Sequence, residues 1–413
     1  MYVKYLRVFI VVAFFLAPFF AELAPLSASA ATMSSPFEIS GWIPYWRTAT
    51  GTADTLAHLN TFKEINPFVY TIKSDGTLVD NGALDKEPWT TLIAAARANH
   101  VRVIPTIMAS NGTLLYKLLS NTKTRIALED RITKLVKDNN FDGIDIDFEG
   151  KTAETRPYFS TFLKGLYQRM GQKWVMCTVE SRTPIKDRYF GVTPPKDAGL
   201  YSNDYAAINK YCDRVRIMAY DQQGIDQALA HAASTTLYAP VADIAWVEKV
   251  MRVAMKDISK HKLVIGIPTY GYESEVTAYA DGYVYDLLWS FNPKYALDIA
   301  AALGITPVRN RLTGEMNFSY IPTSTPVALP TDATTSPALL NNDQVGAAAL
   351  ALASSTNTHN TFRLMTWSDA SAIADKVALA KRLGLRGVAI FKIDGGEDPA
   401  MWDAINGKIL VQR

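Results

Sequence analysis

The chain has 413 residues, of which 48% are hydrophobic and 11% aromatic. This composition predicts one large packed core and excludes a disordered chain or a small disulfide-stapled scaffold. The formal net charge of +2 gives no electrostatic basis for nucleic acid or an anionic membrane as the main partner, so a neutral ligand fits better.

The first thirty residues have the pattern of a secretory signal peptide. Lys4 and Arg7 precede an apolar run over residues 8–20, and residues 28–30 read ASA, which predicts cleavage after Ala30. The run is shorter than the roughly 20 apolar residues that span a bilayer. We therefore expect a secreted or envelope-associated protein with no membrane span after processing. An uncleaved anchor is the alternative, and it would also place the protein outside the cytoplasm.

Eight apolar, strand-like runs alternate with amphipathic helical runs from Ile39 onward, which is typical of parallel βα units. The predicted strands are Ile39–Tyr45, Pro67–Ile72, Val101–Met108, Gly143–Phe148, Trp174–Val179, Val215–Tyr220, Leu263–Pro268 and Gly387–Ile393. The predicted helices are Leu92–Ala98, Arg125–Lys137, Phe159–Met170, Ile244–Met255 and Ala370–Leu383. Eight such strands predict an α/β fold, the (β/α)8 TIM barrel.

The spacing breaks between the seventh and eighth strands, where about 120 residues replace a crossover that needs only a dozen or more. We predict one barrel domain over residues 36–413 with a rim insertion at about 273–368. Within it we expect a helix and two short strands that could pair, and a Thr-, Ser-, Pro- and Ala-rich stretch with an inner helix. The helix is Tyr295–Leu303, and the strands are Met316–Tyr320 and Phe362–Trp367. The Thr-, Ser-, Pro- and Ala-rich stretch covers residues 322–360, and its inner helix is Val345–Ala353.

Export permits disulfides, and the chain has two cysteines, Cys177 and Cys212. They fall near two consecutive predicted strands, so they could pair, but two small buried free thiols are the commoner arrangement. Neither cysteine has a nearby His in the sequence that would indicate a nucleophile.

The fourth strand carries the most informative stretch, residues 141–150, which read FDGIDIDFEG. Side chains alternate between the faces of a strand, so Asp145, Asp147 and Glu149 share one face and three apolar side chains share the other. Like charges this close raise the pKa of at least one carboxyl, which keeps its proton near neutral pH as a general acid. Glu149 is the candidate, because the end of a strand opens on the loops that a substrate reaches.

Two other interpretations of this acidic row remain open. A calcium loop would begin with similar spacing, but its twelfth position, where a bidentate Glu belongs, is Arg156, and the interleaved Ile and Phe residues favour a strand. A solvated edge strand would normally mix Lys, Thr and Ser with acids on its free face. We expect neither a metal nor a cofactor.

Five residues match, position by position, the D-G-x-D-x-D-x-E signature of the family 18 glycoside hydrolases, the chitinase-like enzymes: Asp142, Gly143, Asp145, Asp147 and Glu149. Two further segments resemble motifs of that family, since residues 218–221 read MAYD and residues 266–271 read GIPTYG. Both end predicted strands, where barrel enzymes place their sites. The resemblance extends more loosely from Gly41 to Trp402.

The resemblance implies a retaining hydrolase in which the 2-acetamido oxygen of the substrate, rather than an enzyme carboxylate, attacks the anomeric carbon. It implies that Glu149 protonates the leaving oxygen and that Asp147 binds the acetamido N–H. Tyr220 and Asp221 would hold the acetamido group from across the pocket, and Asp145 would exchange a proton or a hydrogen bond with Asp147. Judged alone, Tyr220 would more often be a core aromatic residue.

Sugar rings present apolar C–H faces, so a carbohydrate site needs aromatic platforms. Six aromatic residues lie in or just after predicted strands, and about half of them are expected to be core residues: Trp42, Tyr45, Trp46, Tyr70, Tyr270 and Tyr272. Phe391 stands where the family usually has a Trp beneath the reacting sugar, and it offers a smaller face and no indole N–H.

Residues 363–398 look most like the bacterial branch of the family that includes spore-cortex peptidoglycan lytic enzymes. The sequence shows no LysM repeat, and its third strand lacks the S-x-G-G segment of many chitinases. The resemblance predicts an exported, monomeric hydrolase that cuts β-linked polysaccharides containing N-acetylhexosamine, either peptidoglycan or chitin-like chains. A sugar-binding relative without catalysis is the alternative, and Phe391 keeps it open.

Overall fold

The computed structural model of the protein describes residues 37–234, 236–322 and 342–409. The predicted signal peptide lies outside these residues, as does the part of the Thr-, Ser- and Pro-rich stretch between residues 322 and 342. Within the described part of the chain, no helix is both long enough and apolar enough to cross a bilayer.

The strands of the described residues are, in chain order, β1 (Glu38–Pro44), β2 (Glu64–Ile72), β3 (Leu78–Asp80), β4 (Arg102–Val103), β5 (Thr106–Ala109), β6 (Gly143–Phe148), β7 (Trp174–Glu180), β8 (Arg214–Met218), β9 (Leu263–Pro268), β10 (Gly271–Tyr279), β11 (Gly282–Phe291), β12 (Val308–Arg309), β13 (Met316–Tyr320), β14 (Asn360–Trp367) and β15 (Gly387–Phe391). The α-helices are α1 (Thr48–Ala57), α2 (Trp89–Ala98), α3 (Gly112–Ser120), α4 (Thr122–Asp138), α5 (Arg156–Met170), α6 (Ile185–Arg188), α7 (Tyr205–Tyr211), α8 (Gln227–Ala232), α9 (Ile244–Ala254), α10 (Pro293–Leu303), α11 (Asn342–Thr356), α12 (Ala370–Leu383) and α13 (Met401–Ile405).

Eight parallel strands close into a barrel, in the order β1-β15-β9-β8-β7-β6-β5-β2, and β1 pairs with β2 to complete the ring. Every pair of neighbours in this ring is parallel. Helices between the strands cover the outer face, as right-handed βα crossovers require. The predicted (β/α)8 TIM barrel is confirmed.

Several predicted elements coincide with the observed ones, among them β6, β9, β13 and α12. Helix α12 has clear local signals at both ends. The side chain of Asp369 accepts a hydrogen bond from the N–H of Ala372 at the start, and Gly384 adopts a φ of +67° just past the end.

The predicted third strand, Val101–Met108, is wrong as a single element. It is divided into β4 and β5, which flank Ile104 and Pro105. Proline has no N–H to donate to a sheet, so the ladder is interrupted there and resumes at Thr106.

The predicted insertion between barrel strands seven and eight is confirmed, and it forms a five-stranded antiparallel sheet in the order β11-β10-β14-β13-β12. The predicted pairing of its two short strands is also confirmed, with Phe318 opposite Met365. Helix α11 covers the predicted inner helix. The β10–β11 hairpin was not predicted; its two-residue turn, Ala280-Asp281, lies between the paired residues Tyr279 and Gly282.

Of the two arrangements left open for the cysteines, the structure has the pair: Cys177 and Cys212 form a disulfide with their Cα atoms 5.9 Å apart. Cys177 lies in β7, and Cys212 lies between α7 and β8. Since β7 and β8 are neighbours in the barrel, the fold brings the two side chains together.

Candidate active site

Strand β6 directs two carboxylates into the barrel and ends at a third. The side chains of Asp145 and Asp147 point inward and are buried, while Glu149 follows the last residue of the strand and is partly exposed. On the outer face, Phe148 packs against Phe162 of α5 with ring centroids 5.5 Å apart. The alternation of acidic and apolar residues therefore serves two surfaces, a polar barrel interior and an apolar layer beneath α5.

Asp145 is held at the floor of this row by three hydrogen bonds and one ion pair. Its Oδ2 accepts hydrogen bonds from Trp42 Nε1 at 2.9 Å and Thr106 Oγ1 at 2.8 Å, and its Oδ1 accepts one from Thr178 Oγ1 at 2.9 Å. Arg216 Nη1 lies 2.9 Å from the same Oδ2. Burial raises the pKa of Asp145 to about 6, and the three hydrogen bonds limit that rise. These four contacts fix the orientation of the carboxylate.

Asp147 is the second buried carboxyl group of the row. Its Oδ1 has no hydrogen-bond partner among the residues that the structure describes. Burial raises the pKa of Asp147 well above its usual value, and the negative charges of Glu149, Asp145 and Glu180 add to the rise. Buried polar atoms are normally paired, so this oxygen is available to a group that enters the site.

Glu149 stands next in the row, where the barrel opens. Burial raises the pKa of Glu149, the negative charges of Glu180 and Asp221 raise it further, and the positive charge of Lys151 opposes them. A carboxyl group that is partly exposed and holds its proton to higher pH can donate that proton to a bound molecule.

Tyr220 and Asp221 extend the site from the end of β8. The ring of Tyr220 is buried and stacks on Phe391 at 5.5 Å with an interplanar angle of 14°. Gly266 makes room for it, since a Cβ there would lie 2.9 Å from the Tyr220 ring. Asp221 Oδ1 accepts hydrogen bonds from the hydroxyls of Tyr270 at 2.5 Å and Tyr272 at 2.6 Å.

A cavity of about 660 Å³ opens beside these residues. Asp221 and Phe391 line this cavity. They also connect it to the carboxylate row, because the negative charge of Asp221 raises the pKa of Glu149 and the ring of Phe391 stacks on Tyr220. Aromatic residues dominate the remaining wall, which is amphipathic in the way that sugar rings require. Those aromatic residues are Trp46, Tyr270, Tyr272, Trp289, Phe291 and Tyr295.

The other aromatic candidates have different positions. Trp42 is buried and donates to Asp145. Tyr70 is also buried, and it does not line the cavity. Tyr45 is exposed outside the cavity lining, with its ring edge-on to Trp46 at 5.1 Å.

Some residues of the site were missed from the sequence. Trp289 and Tyr295 come from the insertion, on a hairpin that was not predicted and on the helix that follows it. Arg216 lies between Val215 and Ile217 in a barrel strand. An arginine at an inward position of such a strand could have indicated that it pairs with a buried carboxylate. In the described part of the chain, no group of three or more His, Cys, Asp or Glu side chains is arranged to hold a metal ion.

Comparison with known proteins places most of the chain in one family. The sequence model of the Glycosyl hydrolases family 18 matches residues 40–396. The uncharacterized glycosylase YvbX of Bacillus subtilis (strain 168) is 26% identical over 278 residues, which cover 65% of this chain and 74% of YvbX.

Solved structures with the same fold are more distant in sequence. The spore cortex-lytic enzyme SleL of Bacillus megaterium QM B1551 superposes with a TM-score of 0.64 at 19% identity, over 91% of this chain and 75% of SleL. A chitinase from Chromobacterium violaceum ATCC 12472 superposes with a TM-score of 0.65 at 19% identity, over 92% of this chain and all of that one. These two likenesses show the fold.

Proposed function

Because the chain belongs to family 18 of the glycosyl hydrolases and is an O-glycosyl hydrolase, we propose that it is exported and cleaves β-linked polymers containing N-acetylglucosamine with retention of configuration. One observation carries the proposal. Asp145, Asp147 and Glu149 form a row of carboxyl groups in the barrel, and the pKa of Glu149, the partly exposed member, is raised by burial and by Glu180.

Glu149 is the proposed acid, and the substrate supplies the nucleophile. The acetamido oxygen of the sugar attacks its own anomeric carbon while the bond to the leaving oxygen breaks, and Glu149 gives its proton to that oxygen. The resulting carboxylate then takes a proton from a water molecule that attacks the anomeric carbon and opens the cyclic intermediate. Two inversions at one carbon give retention.

The neighbouring residues suit the other parts of this reaction. The unpaired Oδ1 of Asp147 can accept the acetamido N–H, which orients the oxygen towards the anomeric carbon. The carboxylate of Asp145, fixed by three hydrogen bonds and the ion pair with Arg216, stabilises the positive charge that develops on the substrate. Tyr220 and Asp221 close the opposite side of the acetamido group, and Phe391 provides the apolar face beneath it.

The substrate is a polymer, since the aromatic cavity adjoins the carboxylate row and offers several stacking faces outside it. Both peptidoglycan and chitin-like chains contain N-acetylglucosamine. The names of the structural neighbours, a spore cortex-lytic enzyme and a chitinase, support both substrates.

Export has two independent supports. The pattern of residues 1–30 is that of a signal peptide, and the Cys177–Cys212 disulfide is typical of an oxidising compartment. We propose that residues 36–413 form a single catalytic unit that acts outside the cytoplasm, with residues 273–368 as an insertion at its rim.

A sugar-binding protein without catalysis is the second candidate. It is favoured by Phe391, which presents a smaller face to the reacting sugar than the Trp that the family usually has there. Glu149 argues against it, because a binding protein has no need for a carboxyl group with a raised pKa.

The test compares three forms of the mature chain on purified peptidoglycan and on chitin oligomers: wild type, Glu149→Gln and Glu154→Gln. Glu154 is an exposed glutamate close in sequence and serves as the matched control. We expect wild type and the control to release reducing ends, first as the β anomer by NMR, and Glu149→Gln to be about 100 to 10,000 times slower. Binding without release by wild type would support the sugar-binding candidate. An undiminished rate in Glu149→Gln would remove Glu149 from the mechanism.

A further inference from the structure

The turn that follows Glu149 is held on two sides. The N–H of Gly150 donates a hydrogen bond to Glu180 Oε1 at 3.2 Å, and Glu180 is the last residue of the neighbouring strand β7. On the other side, the Gly150 carbonyl packs so closely against Gly112 that a Cβ there would lie 2.0 Å from the oxygen. Glu180 therefore supplies a directed contact to the backbone that carries Glu149.

Lys151, the next residue, is a buried cation. Its side chain has no exposed surface, and its Nζ has no hydrogen-bond acceptor among the residues that the structure describes. The ammonium lies 4.7 Å from the ring centroid of Phe159 and 3.9 Å from Glu180 Oε2. A buried charge is costly unless it is compensated, and the compensation here comes from the carboxylates around it.

Glu180 is itself held in place. Its Oε2 accepts a hydrogen bond from Asn203 Nδ2 at 2.6 Å, while its Oε1 is used by Gly150. Five charged or titratable residues face Glu149 from three strands and the segments that follow them: Asp147 of β6, Lys151 after β6, Glu180 of β7, and Tyr220 and Asp221 after β8. The proposed reaction assigns roles to Asp147, Tyr220 and Asp221 but leaves Glu180 and Lys151 without one.

We propose that Glu180 and Lys151 are a pair of positioning residues with opposite charges. They hold the turn that carries Glu149, and together they set the pH at which Glu149 loses its proton. This inference rests on the proposed role of Glu149 as the acid. Removing the negative charge of Glu180 makes it easier for Glu149 to ionise. Removing the positive charge of Lys151 makes it harder.

The signs of the effects are opposite, and this makes the pair testable. The acid must be protonated, so the rate is lost as pH rises through the pKa of Glu149, which Glu180 raises and Lys151 lowers. Glu180→Gln keeps one side-chain oxygen that can accept from the Gly150 N–H but lacks the charge, so the alkaline limb of kcat/KM should move to lower pH by about one unit. Lys151→Met should move the same limb to higher pH by a similar amount, and the double variant should lie near wild type.

The experiment records kcat/KM against pH for these forms on the chitin oligomers or peptidoglycan that wild type cleaves, with Glu154→Gln as the charge-matched control whose limb should not move. A limb that stays in place in Glu180→Gln while the rate falls would leave Glu180 a structural role only and overturn the proposal. So would shifts of the same sign in the two single variants. If Lys151→Met does not fold, the direction of the Glu180→Gln shift decides alone.

A second readout separates this inference from the proposed reaction. With glutamate labelled at the carboxyl carbon, the NMR signal that disappears in Glu149→Gln reports the titration of Glu149 without turnover. If wild type cleaves neither polymer, the proposed function fails, and the NMR shifts in Glu180→Gln and Lys151→Met still test the pair. If Glu149→Gln abolishes activity and neither variant changes the titration, only the present inference fails.

Discussion

Arg216 and Asp145 form an ion pair at the centre of the barrel, with Nη1 2.9 Å from Oδ2 and both side chains almost completely buried. The same guanidinium contacts Glu64, which also pairs with Arg102 at 3.2 Å, and donates to Asn66 Oδ1 at 3.0 Å, so it joins the second, fourth and sixth barrel strands. Burial lowers the pKa of Arg216 to about 9, a value at which it remains charged at neutral pH.

Arg216→Met should therefore destabilise the protein strongly. The substitution leaves Asp145 as a buried carboxylate without its cation and leaves Glu64 with Arg102 alone, and breaking a buried pair in this way costs about 3 to 5 kcal/mol. Urea unfolding at pH 7 should show the loss. Arg382→Met removes the surface pair with Glu248 and serves as the control, with an expected change within about 1 kcal/mol. Equal unfolding midpoints for the two variants would contradict the structural role of Arg216.

The sequence predicts what is local and leaves out what depends on distant pairing. Strands such as β6 and β9 are bounded correctly because their composition and alternation are local, and the signature from Asp142 to Glu149 covers one strand and the residue on each side of it. Arg216 meets Glu64 across 152 positions, a contact that only barrel closure creates. Gly150 meets Glu180 across 30 positions for the same reason.

The part of the cavity wall that comes from the insertion could not be predicted from the sequence for the same reason. Its hairpin was missed, because its turn, Ala280-Asp281, is not one of the Gly-containing hairpin pairs and β10 pairs on its other side with β14, far later in the chain. Trp289 was therefore not placed at the site. The disulfide was left open because the pairing of Cys177 with Cys212 depends on the neighbouring positions of β7 and β8.

Trp289→Ala should weaken the binding of long glycan chains. Trp289 lines the cavity from β11 and is 47% exposed, so its ring is available to stack on a sugar. One such contact contributes about 0.5 to 1.5 kcal/mol, which predicts a loss of affinity of roughly two- to tenfold. Calorimetry with chitin hexamer on the Glu149→Gln background measures it without turnover. Val284→Ala, an exposed apolar position of the same strand outside this cavity, should bind as tightly as the parent.

Phe391 should act through its flat face. The ring stacks on Tyr220 and contacts Trp42 edge-on at 5.8 Å, and Phe391 lines the cavity. Phe391→Leu keeps an apolar side chain but removes the flat ring, and we expect kcat/KM to fall about tenfold. Phe391→Trp retains an aromatic face and should keep kcat/KM at or above the wild-type value. Identical kinetics for the Leu and Trp variants would show that the ring is not a platform for the substrate.

The disulfide should contribute to stability through the chain that it closes. Cys177 and Cys212 are 35 positions apart, and closing a loop of that length stabilises the folded state by about 3 to 4 kcal/mol in the chain-entropy account. Urea unfolding of wild type should shift to lower denaturant when reductant is added. The Cys177→Ala/Cys212→Ala variant should unfold at low denaturant whether or not reductant is present. A wild-type midpoint that ignores reductant, with reduction verified by thiol titration, would contradict this account.

Glu397 should make stability depend on pH in a direction opposite to most carboxylates. Its Oε2 accepts hydrogen bonds from the N–H groups of Asp394 at 3.2 Å and Gly396 at 2.9 Å, and its other oxygen faces Asp54 of α1. Burial raises the pKa of Glu397 to about 9, and the contact with Asp54 adds to the rise. Two carboxyl groups in contact need one shared proton.

The sign follows from that raised pKa. A group that binds its proton more tightly when folded stabilises the protein fully below its unfolded pKa, and this stabilisation is lost as pH rises towards 9. Glu397→Gln replaces the shared proton with a permanent N–H donor to Asp54. The melting temperature of Glu397→Gln should therefore match that of wild type near pH 5 and exceed it increasingly at pH 7 and 9. At pH 9 we expect its free energy of unfolding to be higher than that of wild type by about 1 to 3 kcal/mol. Glu154→Gln, at an exposed position, should follow wild type throughout. A Glu397→Gln variant that loses stability relative to wild type as pH rises would mean that Glu397 is ionised in the folded protein.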